Sequence, residues 1–320
     1  MFLKNKIIER RKLLMIIFPN GLSISSMVIS TALGHFGRGF FPYLLFPNYR
    51  KLVSTVKREK VLVITKSSTR FSYMGNFIIK DPRTWKYVQR LPNMGMLNSH
   101  GLTNDGVEKC AEQIAISRKK GFNVIPSFYP ENKDEEIAIR ETLEAVELFS
   151  FHFGTEKWIL ELNFSCPNFE GIIAGNTYMA SECVAEVKKR HPNIIVIAKT
   201  SIVHAYHFYT MLEDAGADCI HAINSIPYKA LYNSASPFEN ISGGGVSGGP
   251  AFARAFFRVR EVPKYTSLPL ILGCGVIDQR NAETYFQVGK RFKRPVSVSM
   301  CTLPARAPKQ ARELILKFGN

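Results

Sequence analysis

Trp158-Ile-Leu-Glu-Leu-Asn-Phe-Ser-Cys-Pro-Asn168 passes from an apolar, strand-forming segment into a turn that holds a thiol between two carboxamides. The first part, Trp158–Phe164, has the near-continuous apolar character of a strand buried on both faces of a parallel sheet. Seven similar runs recur near Met27–Leu33, Val61–Lys66, Asn123–Ser127, Ile194–Thr200, Cys219–Asn224, Leu270–Cys274 and Val296–Cys301. Between them Asp105–Lys119, Asp134–His152, Met179–Arg190, Ala205–Ala215, Pro250–Arg260, Asn281–Val288 and Pro304–Phe318 carry apolar residues at helical spacing. Gly121, Gly216 and Gly289 follow three of these segments as helix stops.

Strand–helix alternation of this kind predicts an α/β protein, and a (β/α)8 TIM barrel in particular. An open doubly wound sheet has the same alternation. Polar residues favour the barrel, because Lys66, Asn163 to Asn168, Lys199, Asn224, Ser225 and Cys274 all fall at C-terminal strand ends. In a barrel that face carries the active site. Two connections, Ser67 to Gly106 and Pro227 to Gly249, exceed ordinary βα turns and are expected to cover the substrate. No repeat or linker divides the chain, so residues 1–320 are read as one barrel domain, with residues 1–20 a basic extension.

The chain has 320 residues, 46% of them hydrophobic, enough for one large core. Its six cysteines are scattered, without a CxxC pair or a Cys/His cluster, which argues against a zinc or iron–sulfur site; no metal is expected. Lys4, Lys6, Arg10, Arg11 and Lys12 precede a short apolar run that is too brief to be a signal or a span, and a cytoplasmic location is expected. The net charge of +16 sits largely in runs such as Arg118-Lys119-Lys120 and Lys188-Lys189-Arg190 at predicted helix ends, where the dipole favours cations. Nucleic acid or an acidic protein partner is the alternative account of that charge.

Asn163 and Asn168 each offer two donors and an acceptor, which suits a planar heterocycle of alternating N–H and C=O groups. A thiol between them, Cys166, can take a proton acidified by an adjacent carbonyl. A buried Cys beside turn-forming Asn residues is the alternative when the stretch is taken by itself. Gly243-Gly-Gly-Val-Ser-Gly248 satisfies GxGxxG but follows a polar loop rather than a strand, so a Rossmann site is not expected. His204, His207 and His221 lack an acidic companion at ligand spacing and are read as satisfied or exposed side chains.

Asn163-Phe-Ser-Cys-Pro-Asn168 resembles the active-site signature of dihydroorotate dehydrogenases of the cysteine-base class. Further matches follow in order: Ala32-Leu-Gly-His-Phe-Gly37, Thr65-Lys66, Asn98-Ser-His-Gly-Leu-Thr-Asn104, Ala198-Lys199, Asn224-Ser225, Gly244-Gly-Val-Ser-Gly248 and Gly273-Cys-Gly-Val-Ile277. The resemblance implies FMN as cofactor and oxidation of dihydroorotate to orotate, with Cys166 as base at C5 and the C6 hydride passing to flavin N5. It implies that Lys66, Asn98, Gly101, Leu102, Asn163, Asn168, Asn224 and Ser225 hold the pyrimidine. Ala32, Leu33, Lys66, Asn163, Lys199, Gly248, Gly275, Val276, Met300 and Cys301 would hold the flavin, Lys199 at its N1/O2 edge. The segment Phe169 to Thr177 resembles the NAD-coupled branch, which implies a separate FAD and iron–sulfur electron-transfer subunit; a homodimer is also expected.

Three positions depart from the family pattern. Val276 stands where a second glycine is usual, Met300-Cys301 replaces Gly-Thr, and His100 replaces an apolar residue of the substrate loop. The first two fall on the phosphate site of the flavin. They keep two other readings open: a flavoenzyme similar to tRNA dihydrouridine synthase, and a repurposed barrel subunit that no longer holds FMN tightly.

Overall fold

In the computed structural model, which describes residues 15–154, 157–165, 177–241 and 243–319, the expected barrel is present. Its strands are β1 (Met27–Ser30), β2 (Leu62–Ile64), β3 (in two pieces, Val124–Ile125 and Ser127–Phe128), β4 (Ile159–Asn163), β5 (Ile195–Lys199), β6 (Cys219–Ala222), β7 (Leu270–Leu272) and β8 (Val296–Met300). Every neighbouring pair is parallel, and β8 returns to β1. Pro126, which has no N–H to give, splits β3, whose first half pairs with β2 and whose second half pairs with β4. The carbonyl of Pro126 still accepts from the Glu161 N–H at 3.0 Å, so the ring closes.

Helices α1 (Pro47–Arg58), α2 (Val107–Lys119), α3 (Glu135–Phe153), α4 (Thr177–Arg190), α5 (His207–Asp214), α6 (Gly249–Val259), α7 (Gln279–Phe292) and α8 (Pro308–Phe318) follow the strands in turn. The sequence reading missed α1, although Pro47 at its start and buried Tyr49, Leu52, Val53 and Val56 give it helical spacing. Last-turn Lys57, Arg58, Arg118, Lys119, Lys188, Lys189, Arg190, Lys290 and Arg291 put much of the positive charge where helix dipoles favour it. Gly121 and Gly216 follow helix ends with φ of +87° and +92°. Gly289, by contrast, lies inside α7: a Cβ there would meet Cγ2 of Val296 at 2.7 Å, so the glycine lets α7 press onto β8.

One apolar layer fills the space between strands and helices. A second fills the lower barrel, where Ile16, Phe18 and Ile24 from a short antiparallel hairpin join Val28, Leu62, Ile125, Ile159, Ile195 and Ile271. At the opposite end the two long connections combine into a four-stranded antiparallel sheet of Val88–Leu91, Gly95–Asn98, Gly245–Ser247 and Ile226–Pro227. Arg306 fastens this cap to the barrel by donating from Nη1 to the carbonyls of Leu91 and Gly95.

Gly275, just beyond β7, has φ of +93°, and a Cβ there would stand 2.4 Å from Cα of Phe252. Gly275→Ala is expected to cost about 1–3 kcal/mol through left-handed strain and overpacking together. The check is the urea midpoint; an unchanged midpoint would show that the loop after β7 yields freely.

Candidate active site

Parallel register sets the floor of the site. Asn163, Lys199 and His221 are aligned across β4, β5 and β6, one residue on each strand at the same level. All three side chains are buried, and Glu161, two residues below Asn163, is fully buried. Oε2 of Glu161 lies 2.6 Å from Nδ1 of His221, and Oε1 accepts from Ser127 at 2.9 Å and faces Nζ of Lys199 at 3.5 Å. The other imidazole nitrogen, Nε2, is 2.9 Å from Oγ of Ser299, while Lys199 also donates to Ser30 at 3.3 Å.

Burial alone would push the Glu161 carboxyl up, but the Lys199 charge and the His221 contact outweigh it and hold it down at about 2. His221 is lowered by burial first, with Glu161 opposing and Lys199 adding to the effect. The floor therefore holds one carboxylate, one ammonium and a neutral imidazole, each with hydrogen-bond partners, as buried ionic groups require.

Above this floor Asn163 has a fixed orientation. Its Oδ1 accepts from both N and Oγ of Ser165, at 3.1 and 2.6 Å, so its amide nitrogen is identified and donates to Oγ of Ser67 at 2.8 Å. One N–H of Asn163 is thereby left for an occupant. Asn224 donates to the carbonyl of Ser165 at 3.0 Å and accepts from the N–H of Ser225 at 2.8 Å. The loop around residue 165 is thus held from β4 and β6 together. Cys166 and Asn168, which the sequence places next on that loop, lie outside the described residues.

A cavity of about 280 Å³ opens over these groups at the C-terminal ends of the strands. Of the residues expected to hold the pyrimidine, Lys66, Asn98, Gly101, Leu102, Asn163, Asn224 and Ser225 line it. Asn98 is presented by the cap, where its side chain donates to the carbonyl of Gly245 at 3.2 Å. Gly101 and Leu102, with φ of +68° and +58°, bend the cap connection over the mouth. His100 lines the same wall, packs against Phe77 with ring centroids 4.5 Å apart, and keeps a buried Nδ1 without a hydrogen-bond partner. Burial, with Lys66 and His35 nearby, lowers it well below the ordinary histidine range, and burial beside Lys66 lowers His35 to about 4.

Of the residues expected to hold a flavin, Ala32, Lys66, Asn163, Lys199, Gly275, Val276, Met300 and Cys301 line the cavity, whereas Leu33 and Gly248 do not. Leu33 is fully buried in the core between sheet and helices. Gly248 caps α6 at φ of +79°, where a Cβ would stand 2.2 Å from the carbonyl of Met94; it serves the contact between cap and barrel. At the end formed by β7 and β8, Thr302 donates to Ser247 at 2.7 Å and Cys301 lies 3.1 Å from Oγ1 of Thr31. The polar lining there is made of hydroxyls, thiols and backbone, beside the apolar Val276, Met300 and Ala305, and among the described lining residues Lys66 and Lys199 are the cationic side chains.

Sequence reasoning did not single out Glu161, Ser67, Ser127 or Ser299; it read His221 as satisfied or exposed, and the structure shows it satisfied, with Glu161 as a companion that sequence spacing did not reveal. A polar residue inside an apolar strand was the available signal for Glu161 and Ser299. Among the described residues no group of three His, Cys, Asp or Glu side chains could hold a metal ion, and no helix is long and apolar enough to cross a membrane.

Known proteins resemble this chain in sequence and in fold. The catalytic subunit of dihydroorotate dehydrogenase B (NAD(+)) from Oceanobacillus iheyensis is 28% identical over 233 residues, 71% of each chain. Its counterpart from Carboxydothermus hydrogenoformans is 28% identical over 263 residues, 79% of this chain and 78% of that one. Both relatives are of the NAD-coupled type that the segment after Asn168 resembles. DHODH from Eimeria tenella, solved in complex with ferulenol, matches in fold with a TM-score of 0.66 at 17% identity, over 95% of this chain and 83% of that one. A family model for dihydroorotate dehydrogenase matches residues 51–290, well over half the chain. With the family model covering residues 51–290, and Lys66, Asn98, Asn163, Lys199 and Asn224 of the ordered motifs lining one barrel mouth, the chain belongs to the dihydroorotate dehydrogenase family and is a dihydroorotate dehydrogenase-like oxidoreductase.

Proposed function

We propose that this single-domain chain oxidises dihydroorotate to orotate with FMN as cofactor and Cys166 as base. The observation that carries the reading is the alignment of Asn163, Lys199 and His221 beneath a cavity whose walls hold Lys66, Asn98, Asn224 and Ser225. The donors fit a flavin ring: one amide N–H of Asn163 is unclaimed by the protein, and Lys199 stands at the closed end of the cavity. At the β7–β8 end a phosphate would meet backbone N–H groups and the Ser247 and Thr302 hydroxyls rather than a cationic side chain.

FMN bound there would supply the acceptor for the hydride leaving C6. Cys166 takes the C5 proton, so one proton and one hydride leave dihydroorotate and a C5–C6 double bond remains. Asn163 and Asn224 orient the ring, and both also tie down the backbone at Ser165, adjacent to the base. Lys66 offers a positive charge to the substrate carboxylate. Lys199, balanced by Glu161, stabilises negative charge that develops at the closed end as electrons arrive. Likeness to proteins named as NAD(+)-type catalytic subunits supports a separate subunit that takes the electrons onward; the motif resemblance implies that this subunit carries FAD and an iron–sulfur cluster, and a homodimer in the cytoplasm is part of the same proposal.

The test is the visible spectrum of the purified protein, followed by anaerobic addition of dihydroorotate. Oxidised-flavin bands that bleach on addition are expected. A colourless protein that FMN does not reconstitute would remove the flavin and leave a repurposed barrel. A yellow protein indifferent to dihydroorotate would move the substrate to another dihydropyrimidine, free or in tRNA.

A further inference from the structure

Beneath the cavity an arc of hydrogen bonds connects two hydroxyls that both line it, Ser67 and Ser299. Ser67 Oγ lies 2.8 Å from Ser127 Oγ, which donates to Glu161 Oε1 at 2.9 Å. Glu161 Oε2 then meets Nδ1 of His221, and Nε2 of His221 meets Ser299. The protons along the arc can be placed. An ionised carboxylate only accepts, so Ser127 and Nδ1 of His221 both donate to Glu161. Nδ1 holds the single ring proton of a neutral imidazole, which leaves Nε2 to accept from the Ser299 hydroxyl. One site in the arc is thus open to a further proton: Nε2 of His221, whose ring lines the cavity beside the Ser299 hydroxyl that it accepts from.

Charge counting says when that proton arrives. Glu161 from β4 and Lys199 from β5 cancel, so His221 alone sets the net charge of the floor. The other titratable groups near this floor are Lys66, a cation on the wall of the same cavity, and the thiols of Cys219, below the floor on β6, Cys274 beyond β7 and Cys301 beyond β8. Burial keeps the three thiols neutral. Negative charge entering a water-poor cavity favours the protonated form of the nearest neutral base. We propose that His221 is the proton acceptor of this cavity: negative charge brought in by an anionic occupant is balanced by a proton passed through Ser299 to Nε2 of His221. The Ser299 O–H bond breaks as the Nε2–H bond forms, and Ser299 regains a proton that comes from a buffer acid of the bulk solvent, whose conjugate base stays outside the cavity. Nε2–H then donates back to Ser299 Oγ, and Glu161 faces an imidazolium through the same Nδ1–H. This proposal rests on the pyrimidine reading of the cavity.

The experiment is calorimetric titration of orotate into the flavin-loaded protein near pH 6, in two buffers of different ionisation enthalpy, which reads protons taken up per orotate bound. Uptake of about half to one proton per site is expected for the unaltered protein, reduced to near zero in His221→Gln. Orotate binding without proton uptake, or with the same uptake in His221→Gln, overturns the proposal and leaves the pyrimidine reading in place; equal uptake would point to His100 or His35 beside Lys66. Absence of any orotate binding sinks the pyrimidine reading and this proposal with it. If His221→Gln does not fold, histidine-labelled nitrogen NMR of the unaltered protein decides. Conversion of the His221 ring to imidazolium on orotate addition supports the proposal, and an unchanged ring refutes it.

Discussion

Cys166→Ala is expected to slow oxidation of dihydroorotate by about 10²- to 10⁴-fold, the contribution of a positioned general base, while orotate affinity stays within a few-fold. The separation follows from which groups are removed. Asn163, Asn224, Lys66 and Ser225 line the cavity independently of the thiol and retain the ring, so binding persists when proton removal fails. Stopped-flow bleaching of the flavin measures the chemical step, and titration with orotate measures the binding. A rate within tenfold of the unaltered protein would exclude Cys166 as the base.

Glu161→Leu is expected to destabilise the fold by about 3–5 kcal/mol, the cost of stranding one member of a buried ion pair. Lys199, 4% exposed, would lose the carboxylate that balances it, and the Nδ1–H of His221 would lose its acceptor at 2.6 Å. Removing both charges in Glu161→Leu with Lys199→Met is expected to recover much of that loss, because two apolar residues leave no uncompensated charge. Urea denaturation of Glu161→Leu, Lys199→Met and the double variant measures this, and a double variant as unstable as the sum of the two single ones would show that the pair does not act as a unit. The same carboxylate gives an acid limb. Its native-state value of about 2 lies below the ordinary 4.5, so its stabilisation is complete above about pH 4.5 and is lost as pH falls towards 2. The Glu161 share of the acid limb should be missing from the double variant, while carboxylates such as Glu213, also held below the ordinary range, keep theirs.

The barrel was legible because strands buried on both faces are nearly continuous apolar runs, and each of the eight runs contains a barrel strand. Polar residues at strand ends likewise located the mouth, since closure of the ring brings those ends together whatever their separation in sequence. Contacts that depend on register were not legible. Glu161 and His221 are 60 positions apart, and only the alignment of β4, β5 and β6 sets Glu161 against the imidazole. The cap shows the same limit: both long connections stood out by length, but their pairing through Gly245↔Asn98 is non-local and leaves no periodic trace. Gly289 misled for a local reason, because a glycine that admits a close neighbour reads in sequence like one that ends a helix.

The hairpin carrying Ile16, Phe18 and Ile24 stoppers the lower barrel with side chains that admit neither water nor ions. Among the described residues the cavity is consequently closed at its lower end, and molecules that enter or leave it pass the upper rim. The cap that Arg306 moors supplies part of that rim through Val88, Met96 and Asn98.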